Sequence, residues 1–509
     1  MHYFFQNIKI NMNMHNSIIF FINYIGLFSE IYLFISFFLL LGICIILNLS
    51  KNMNFPNIYK FTSFFFFIFC FNVFFIDLFN NIEIYNTFDF YKNFSDIIIK
   101  YIVFFFTLLL VIYSKAYMCK IKLHMFEFIL VIFVILLSFS LFIITTDLLN
   151  FYLLLEIQSL CFYLLTSFNK HNQYSVESGL KYFILSSFSS VCLLFGFSFI
   201  YGLTGSLNLL DITLFFSVLL DDNFVGWLSG FSISGILILV AFLFKLYISP
   251  FHLWVGDIYQ GSPSITTAFF GTITILPLFY VFIKYFVNIL FWVQPYFSII
   301  LLVLSILSMI MGLFSAIYAK KIKRLIAFSS VSNIGYLLIG FIQENVITFS
   351  NSLAYLLLYI VNITGIFIIF LNLWIAKYKV HLERLSLLSG FFYKNKWLAI
   401  IIIIFFFTAA GIPPFSLFIG KIMIIVGVTS SLYTIILFIL VFTAIVSSFY
   451  YLKVIKYISF NIFKEWLHVS LITYTNALFL VYFAFFSIFF IFGVSTVYIL
   501  SNYIILIIS

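Results

Sequence analysis

Charge is scarce in this 509-residue chain. Asp, Glu, Lys and Arg together make up 8% of it and hydrophobic residues 65%, against about 25% charged in soluble domains. A soluble fold is excluded. Also missing is the alternation of apolar and polar at every second residue that marks barrel strands, since runs such as 64–71 and 400–407 are apolar throughout. Helices are the remaining structure that satisfies every backbone N–H and C=O inside a bilayer. The five cysteines, Cys44, Cys70, Cys119, Cys161 and Cys192, include no C-x-x-C pair and no histidine at ligand spacing, and read as packing residues. Neither an iron–sulfur cluster nor zinc is expected, and the seven histidines are too dispersed for a haem pair. No Gly-rich dinucleotide loop stands at a strand-to-helix junction. The net charge of +9 is spread over loops instead of forming a stripe, which speaks against nucleic acid. The first 16 residues have neither the short apolar core of a secretory signal nor the arginines of a transit peptide. The bias toward Phe, Ile, Tyr, Asn and Lys points to an AT-rich genome and to synthesis inside an organelle.

What is present is a succession of apolar runs, each near or above the roughly 20 residues that a spanning helix needs. They lie at 18–49, 61–80, 97–115, 126–144, 147–168, 178–202, 230–258, 263–288, 296–318, 323–342, 347–376, 397–429, 431–452 and 470–500. The expected fold is therefore all-α and polytopic, one bundle of about 14 transmembrane helices. Charge provides an independent check, because one side of a membrane collects Lys and Arg in its loops. The connections after spans 1, 3, 5, 7, 9, 11 and 13 hold 18 of the 25 basic residues, among them Lys320, Lys321, Lys323 and Arg324. The other side holds Lys9, Lys92, Lys100 and Lys284. Both termini are expected to face away from the basic side. Glu30 is read as a carboxylate at the beginning of the first helix.

Three lysines, Lys181, Lys245 and Lys421, and one glutamate, Glu156, lie deep inside spans. A charge at the bilayer centre costs about 2.5–3.5 kcal/mol on insertion scales, so such residues usually line ion pathways. Two of the lysines stand beside helix breakers: Lys245 five residues before Pro250, and Lys421 after the pair Pro413-Pro414. Proline removes a helical hydrogen bond and clashes with the preceding turn, so spans 7 and 12 are each expected to break near the middle. The breaks are five spans apart. That spacing fits two inverted five-helix repeats, spans 4–8 and 9–13, with the charged groups at the breaks.

The segments that carry this chemistry also carry a family resemblance. Leu155-Glu156-Ile157-Gln158-Ser159-Leu160, Glu177-Ser178-Gly179-Leu180-Lys181-Tyr182-Phe183, Phe244–His252, Asp257–Pro263, Ile322–Ser330 and Ala410–Lys421 resemble the antiporter-like membrane subunits of respiratory complex I, NADH:ubiquinone oxidoreductase. The likeness covers roughly residues 145–425 and is strongest to subunit 2, since Lys421 stands where the sibling subunit 4 carries an acid. The resemblance implies a proton-translocating core subunit with no redox centre of its own. Flavin, iron–sulfur clusters and ubiquinone would be held by other subunits. Expected partners are the neighbouring antiporter-like subunit 4, the small subunit 4L, accessory subunits and lipids. The expected location is the mitochondrial inner membrane, with basic loops in the matrix and termini in the intermembrane space. Domain boundaries would fall at 1–125, 126–288, 289–456 and 457–509.

By the same resemblance Glu156 is the carboxylate that responds to the neighbouring subunit, with Lys181 beside it biasing its protonation. Glu177, nearer the span end, would cap or face solvent. Lys245 is the central proton-exchanging group and Lys421 the terminal one. His252 would cap the broken helix or orient water, with capping preferred. One departure stands out: the family's further lysine in span 8 falls on Ile275, which cannot carry a proton. Lys284, about 13.5 Å farther along the helix at 1.5 Å per residue, reads as an interface anchor. A link from Lys245 to Lys421 must then run through water and hydroxyls, for which Thr272, Thr274, Tyr280 and Tyr336 are the candidates. Two other classes remain open: a structural membrane-arm subunit with an interrupted path, and a free-standing cation/proton antiporter. Replacing Thr274 with Val in the assembled complex is expected to lower proton pumping at equal electron flux, and unchanged pumping would remove that hydroxyl from the path.

Overall fold

The computed structural model describes residues 28–49, 63–64, 67–68, 71–73, 90–121, 125–218, 225–286, 294–342, 345–375, 380–381, 383–429, 434–460 and 474–508. The chain is helical nearly throughout. In order, the helices are α1 Phe28–Leu49, α2 Phe94–Ile121, α3 Met125–Ile144, α4 Leu148–Thr166, α5 Gln173–Thr204, α6 Leu209–Val218, α7 Val225–Lys245, α8 Leu253–Gly261, α9 Ser264–Thr272 and α10 Ile275–Tyr285. There follow α11 Gln294–Tyr318, α12 Ile322–Leu338, α13 Val346–Asn372, the one-turn α14 Phe391–Lys394, α15 Lys396–Ala410, α16 Ser416–Thr429, α17 Thr434–Ser459, α18 Tyr474–Phe489 and α19 Val494–Ile508. A two-residue antiparallel pair, Trp374–Ile375 with Val380–His381, lies between α13 and α14.

Among the described residues nine helices are long and apolar enough to cross a membrane, or ten if α18 and α19 form one span, and four shorter apolar helices stand beside them. Most of the second run of the sequence, 61–80, lies outside the described residues. Burial sorts the helices into layers. The segment from Ser264 to Tyr285, α12 and α13 are almost wholly enclosed, while α5, α11 and α17 form the rim. The rim helices turn large apolar side chains outward, such as Ile184, Phe188 and Val191 on α5 and Phe438, Phe442 and Phe449 on α17. The enclosed α12 has the lowest hydropathy of the nine. The rim thus presents apolar side chains outward, as a hydrocarbon solvent requires, and α12 brings buried polar residues into an otherwise hydrophobic interior.

Chain chemistry sets the helix ends. Asp147 accepts the Asn150 amide at 3.3 Å to start α4, and Asn172 accepts the Tyr174 amide at 3.1 Å to start α5, each satisfying a donor that the first turn leaves free. Gly205 ends α5 in the left-handed region, with φ 72°. The two expected breaks are present and alike. In the first, α7 stops at Lys245, Tyr247 takes φ 47°, Ser249–Pro250 is cis, and α8 starts at Leu253. In the second, α15 stops at Ala410, Gly411 takes φ 71°, Pro413–Pro414 is cis, and α16 starts at Ser416. A weaker third interruption, between α9 and α10, falls at residues 273–274, where Pro277 cannot donate to the Ile273 carbonyl.

Connections gather at two opposite ends. Lys321 pairs with Arg384 across an isolated bridge, Lys323 donates to the Ser262 carbonyl at 2.9 Å, and Gly390 donates to the Tyr457 carbonyl at 3.2 Å. Lys120 lies over the Trp374 ring at 5.0 Å. These contacts unite connections that the sequence assigns to the basic side. At the other end Phe90 bridges Thr145, Asp147 bridges Asn208, and Lys284 donates to the Ile143 carbonyl at 2.8 Å.

Glycines allow the closest helix approaches at the centre. A Cβ on Gly335 of α12 would collide with Ser308 Oγ of α11, and one on Gly312 of α11 would lie 2.6 Å from the Ser332 amide of α12. Gly202, on the rim, has nothing within 4 Å of that position. Overpacking of a well-filled interior costs about 1–3 kcal/mol. Gly335→Val is therefore expected to reduce the amount of assembled protein on native gels by several-fold, with Gly202→Val near the parental level; equal amounts would contradict this packing.

Candidate functional site

The two interrupted helices and α12 between them define the site. Lys245 is the last residue of α7, where the helix stops and its final carbonyls have no following turn to bond. The side chain borders two small cavities. One, of about 30 Å³, is lined in part by Gln158, Ser159, Tyr182, Lys245, Trp254 and Thr274. The other, of about 10 Å³, is lined in part by Tyr152, Ser189, Ser190 and Lys245. A buried water needs roughly 10–15 Å³ and several polar partners, which the larger chamber offers. Among the described residues Lys245 has no ion pair within 4.0 Å.

Glu156 lies on α4, half-buried, and is the acidic group whose attraction reaches Lys245. Ser159, one turn on, donates to its Oε2 at 3.3 Å, and Tyr152 lies one turn back on the same helix. Lys181 differs from expectation. Its ammonium pairs with Glu177 at 2.7 Å and Asp257 at 3.5 Å, on a flank where all three side chains are roughly half exposed. Glu177 is one turn before Lys181 on α5, the spacing that favours an ion pair, so it does not act as a mere cap. Asp257 is supplied by the half-helix α8, which places the break of span 7 and Lys181 in one electrostatic unit. In the sequence Asp257 stands out only as one residue of a longer motif.

His252 occupies the N-cap position of α8 but makes no capping hydrogen bond through its side chain, and its Nδ1 is buried without a partner among the described residues. The expected capping role is therefore not fulfilled. Residue 252 has helical φ and ψ, whereas a capping side chain needs an extended backbone to reach the first amides. Thr272 and Thr274 donate to the Ala268 and Phe270 carbonyls of α9, at 2.7 and 2.8 Å. Thr274 still borders the Lys245 chamber. Tyr280 is committed elsewhere, donating to Asp96 Oδ1 at 2.6 Å and accepting from the Ser95 hydroxyl at 3.0 Å. Ile275 is fully buried among hydrophobic neighbours.

From the first break a polar ridge on α12 leads toward the second. Ser329, Ser330, Ser332 and Asn333 are all buried. The hydroxyls of Tyr247, Tyr259 and Tyr359 turn toward Ser330, none with a partner at ordinary hydrogen-bond length among the described residues. Farther along, Tyr451 turns toward Ser329 and Asn333, and Tyr355 donates to Asn333 Oδ1 at 2.9 Å. Buried polar groups in proteins are nearly always hydrogen-bonded to protein or to ordered water, so these hydroxyls mark positions suited to water. The cluster was missed at the sequence level, although Ser329-Ser330-Val331-Ser332-Asn333 interrupts an apolar run and could have announced it.

Lys421 closes the row. It is buried, its Nζ donates to Ser447 Oγ of α17 at 3.3 Å, and it lies 5.4 Å from the centre of the Tyr336 ring. Tyr336 shares a 2.7 Å hydrogen bond with Thr443. A Cβ on Gly411 would come within 3.1 Å of the Lys421 amine. The glycine of the second break thus provides both the left-handed backbone and the room for the ammonium. Among the described residues no group of three His, Cys, Asp or Glu side chains could hold a metal ion.

Comparison with known proteins agrees with this architecture. The family described as NADH:quinone oxidoreductase/Mrp antiporter, transmembrane, matches residues 145–447. NADH-quinone oxidoreductase subunit N of the Wolbachia endosymbiont of Brugia malayi is 35% identical over 336 residues, covering 66% of this chain and 69% of that one. NADH-ubiquinone oxidoreductase chain 2 of Marchantia polymorpha is 35% identical over 348 residues, covering 68% and 69%. A chain of respiratory complex I from Thermus thermophilus, solved with bound aureothin, superposes with a TM-score of 0.71 at 21% identity, covering 89% of this chain and 96% of that one. With its broken helices, buried lysines and these relatives, the chain belongs to the NADH:quinone oxidoreductase/Mrp antiporter membrane family, in the branch of subunit N and chain 2.

Proposed function

We propose that this chain is a proton-translocating membrane subunit of NADH:ubiquinone oxidoreductase, in which Lys245 and Lys421 exchange protons across the polar ridge of α12. The observation that carries the proposal is the line of buried hydroxyls and amides, Tyr247, Tyr259, Ser330, Tyr359, Asn333 and Tyr355, lying between two interrupted helices that each hold a lysine. Water held by those groups would bypass Ile275. A proton leaving the Lys245 ammonium passes along this water to the Lys421 amine, and each lysine alternates between ammonium and amine. Glu156 sets the bias at the first step, because a nearby carboxylate favours the charged lysine. The pair Lys181–Asp257 links that bias to the half-helix α8.

Fourteen spans, with two inverted repeats at spans 4–8 and 9–13, account for the matching breaks and for the two-ended sorting of connections. The units 1–125, 126–288, 289–456 and 457–509 follow from the same repeat. The excess of Lys and Arg at one end supports a matrix orientation of that end in a mitochondrial inner membrane. The chain itself performs no electron transfer. Flavin, iron–sulfur clusters and ubiquinone reside in other subunits of the assembly, and the antiporter-like subunit 4, the small subunit 4L, accessory subunits and lipids adjoin this one. A scaffold without a working path is the competing role, favoured by Ile275 and by the back-bonded hydroxyls of Thr272 and Thr274.

Lys245→Met in the intact complex, reconstituted into liposomes, distinguishes the two. Its proton-to-electron ratio is expected to fall while NADH oxidation coupled to quinone continues; an unaltered ratio would establish the scaffold. Tyr259→Phe combined with Tyr359→Phe keeps the packing and removes two hydroxyls from the ridge. At about 1 kcal/mol per lost hydrogen bond, pumping should slow severalfold to about tenfold per site, and parental pumping in that variant would place the path elsewhere.

A further inference from the structure

The other buried charges lie at the end of the bundle opposite the basic connections. Asp96, at the start of α2, is completely buried. Its Oδ1 accepts from Tyr280 at 2.6 Å and from Lys284, and its Oδ2 accepts from the Asn93 amide at 2.8 Å. Lys284 is the penultimate residue of α10, and its side chain is 12% exposed. One turn along α2, Lys100 pairs with Glu30 of α1, both buried, and Lys92 stands 3.9 Å from the same carboxylate. The result is an array of alternating sign across α1, α2 and α10. Glu30 stands in the first turn of α1, as the sequence indicates, but it is buried and paired, and Lys284 is tied to Asp96 and Ile143 instead of serving as an interface anchor.

The stereochemistry distinguishes Lys284 within this array. An ammonium has three hydrogens. Two are taken by Asp96 and by the Ile143 carbonyl at 2.8 Å, and the third is left for water at the partly exposed end. If Lys284 releases that proton, its remaining N–H groups still satisfy Asp96 and Ile143. The carboxylate also keeps the Tyr280 hydroxyl and the Asn93 amide, so it is never a bare buried anion, the situation that makes broken buried pairs costly. The array is also close to the site already described. Thr274 and Leu278 border the Lys245 chamber, and Leu278 precedes Lys284 by six residues on the same half-helix, about 9 Å at 1.5 Å per residue.

We propose that Lys284, held by Asp96, Tyr280 and the Ile143 carbonyl, is a proton-exchange site through which the Lys245 chamber communicates with the face opposite the basic connections. In each cycle the Lys284 ammonium gives one proton to water at that face and becomes an amine. It regains one proton from water on the chamber side, while the Asp96 carboxylate keeps its Tyr280 and Asn93 donors. The proposal rests on the proton-translocating function above.

The test is Lys284→Arg in the intact complex, reconstituted into liposomes, beside Lys245→Met as a reference. Arginine keeps the ion pair but holds its proton at all accessible pH, so a purely structural clamp survives the change and an exchange site does not. The expected result is an assembled complex with continuing electron transfer and a proton-to-electron ratio lowered by about as much as in Lys245→Met. A parental ratio in Lys284→Arg, with a lowered ratio in Lys245→Met, overturns the exchange site alone. Parental ratios in both overturn the translocating function as well. Should Lys284→Arg fail to assemble, Tyr280→Phe retains the Asp96–Lys284 pair and removes the second side-chain donor that supports Asp96. A lowered ratio there supports the exchange site, and a parental one overturns it.

Discussion

A lysine within a hydrocarbon layer must be met by polar groups, and a regular helix has none to spare because its own backbone uses them. Everything at the centre of this molecule follows from that constraint. Spans 7 and 12 are interrupted, which frees carbonyls and amides near the lysines; Ile248, Ser249 and His252 of the first interruption are buried, while Pro250, Pro413 and Pro414 are exposed. The half-helix α8 packs closely on α12, where a Cβ at Gly256 would meet the Phe328 ring at 2.6 Å. That closeness puts Tyr259 near Ser330 and joins the first break to the ridge.

The same constraint explains which parts of the architecture were legible in the sequence. Hydropathy revealed an all-helical polytopic membrane protein, because it is set by the solvent, which acts on each helix separately. The breaks were legible because proline acts within its own turn. Glu156, Lys245 and Lys421 were legible as isolated charges in apolar runs. Partner choice was not. Lys181 turned to Glu177 and Asp257, and Lys100 to Glu30, seventy residues away. Such pairings depend on which helices become neighbours, and no local pattern encodes that. The serines of α12 were overlooked for a related reason: hydroxyls in membrane helices usually bond back to their own carbonyls, as Ser329 and Ser330 do here at 2.8 and 2.6 Å, and their importance appears only when tyrosines from three other elements point at them.

Ile275 is better understood as a change in how charge is distributed than as a defect. Charge in span 8 has not been lost from the half-helix, since Lys284 lies two and a half turns beyond Ile275, paired to the N-terminal helices. At 284 the lysine has a carboxylate of its own and a route to water. The N-terminal helices α1 and α2 thereby acquire an electrostatic role, because α2 provides Asp96 for Lys284 and Lys100 for Glu30 of α1. An unpaired buried ion costs more than the pair contributes, so α1, α2 and α10 are constrained to move as one unit. Any displacement at the Lys245 chamber that involves α10 must therefore be transmitted to the N-terminal helices or be absorbed at the interruption around residues 273–274, where the helix is already weakest.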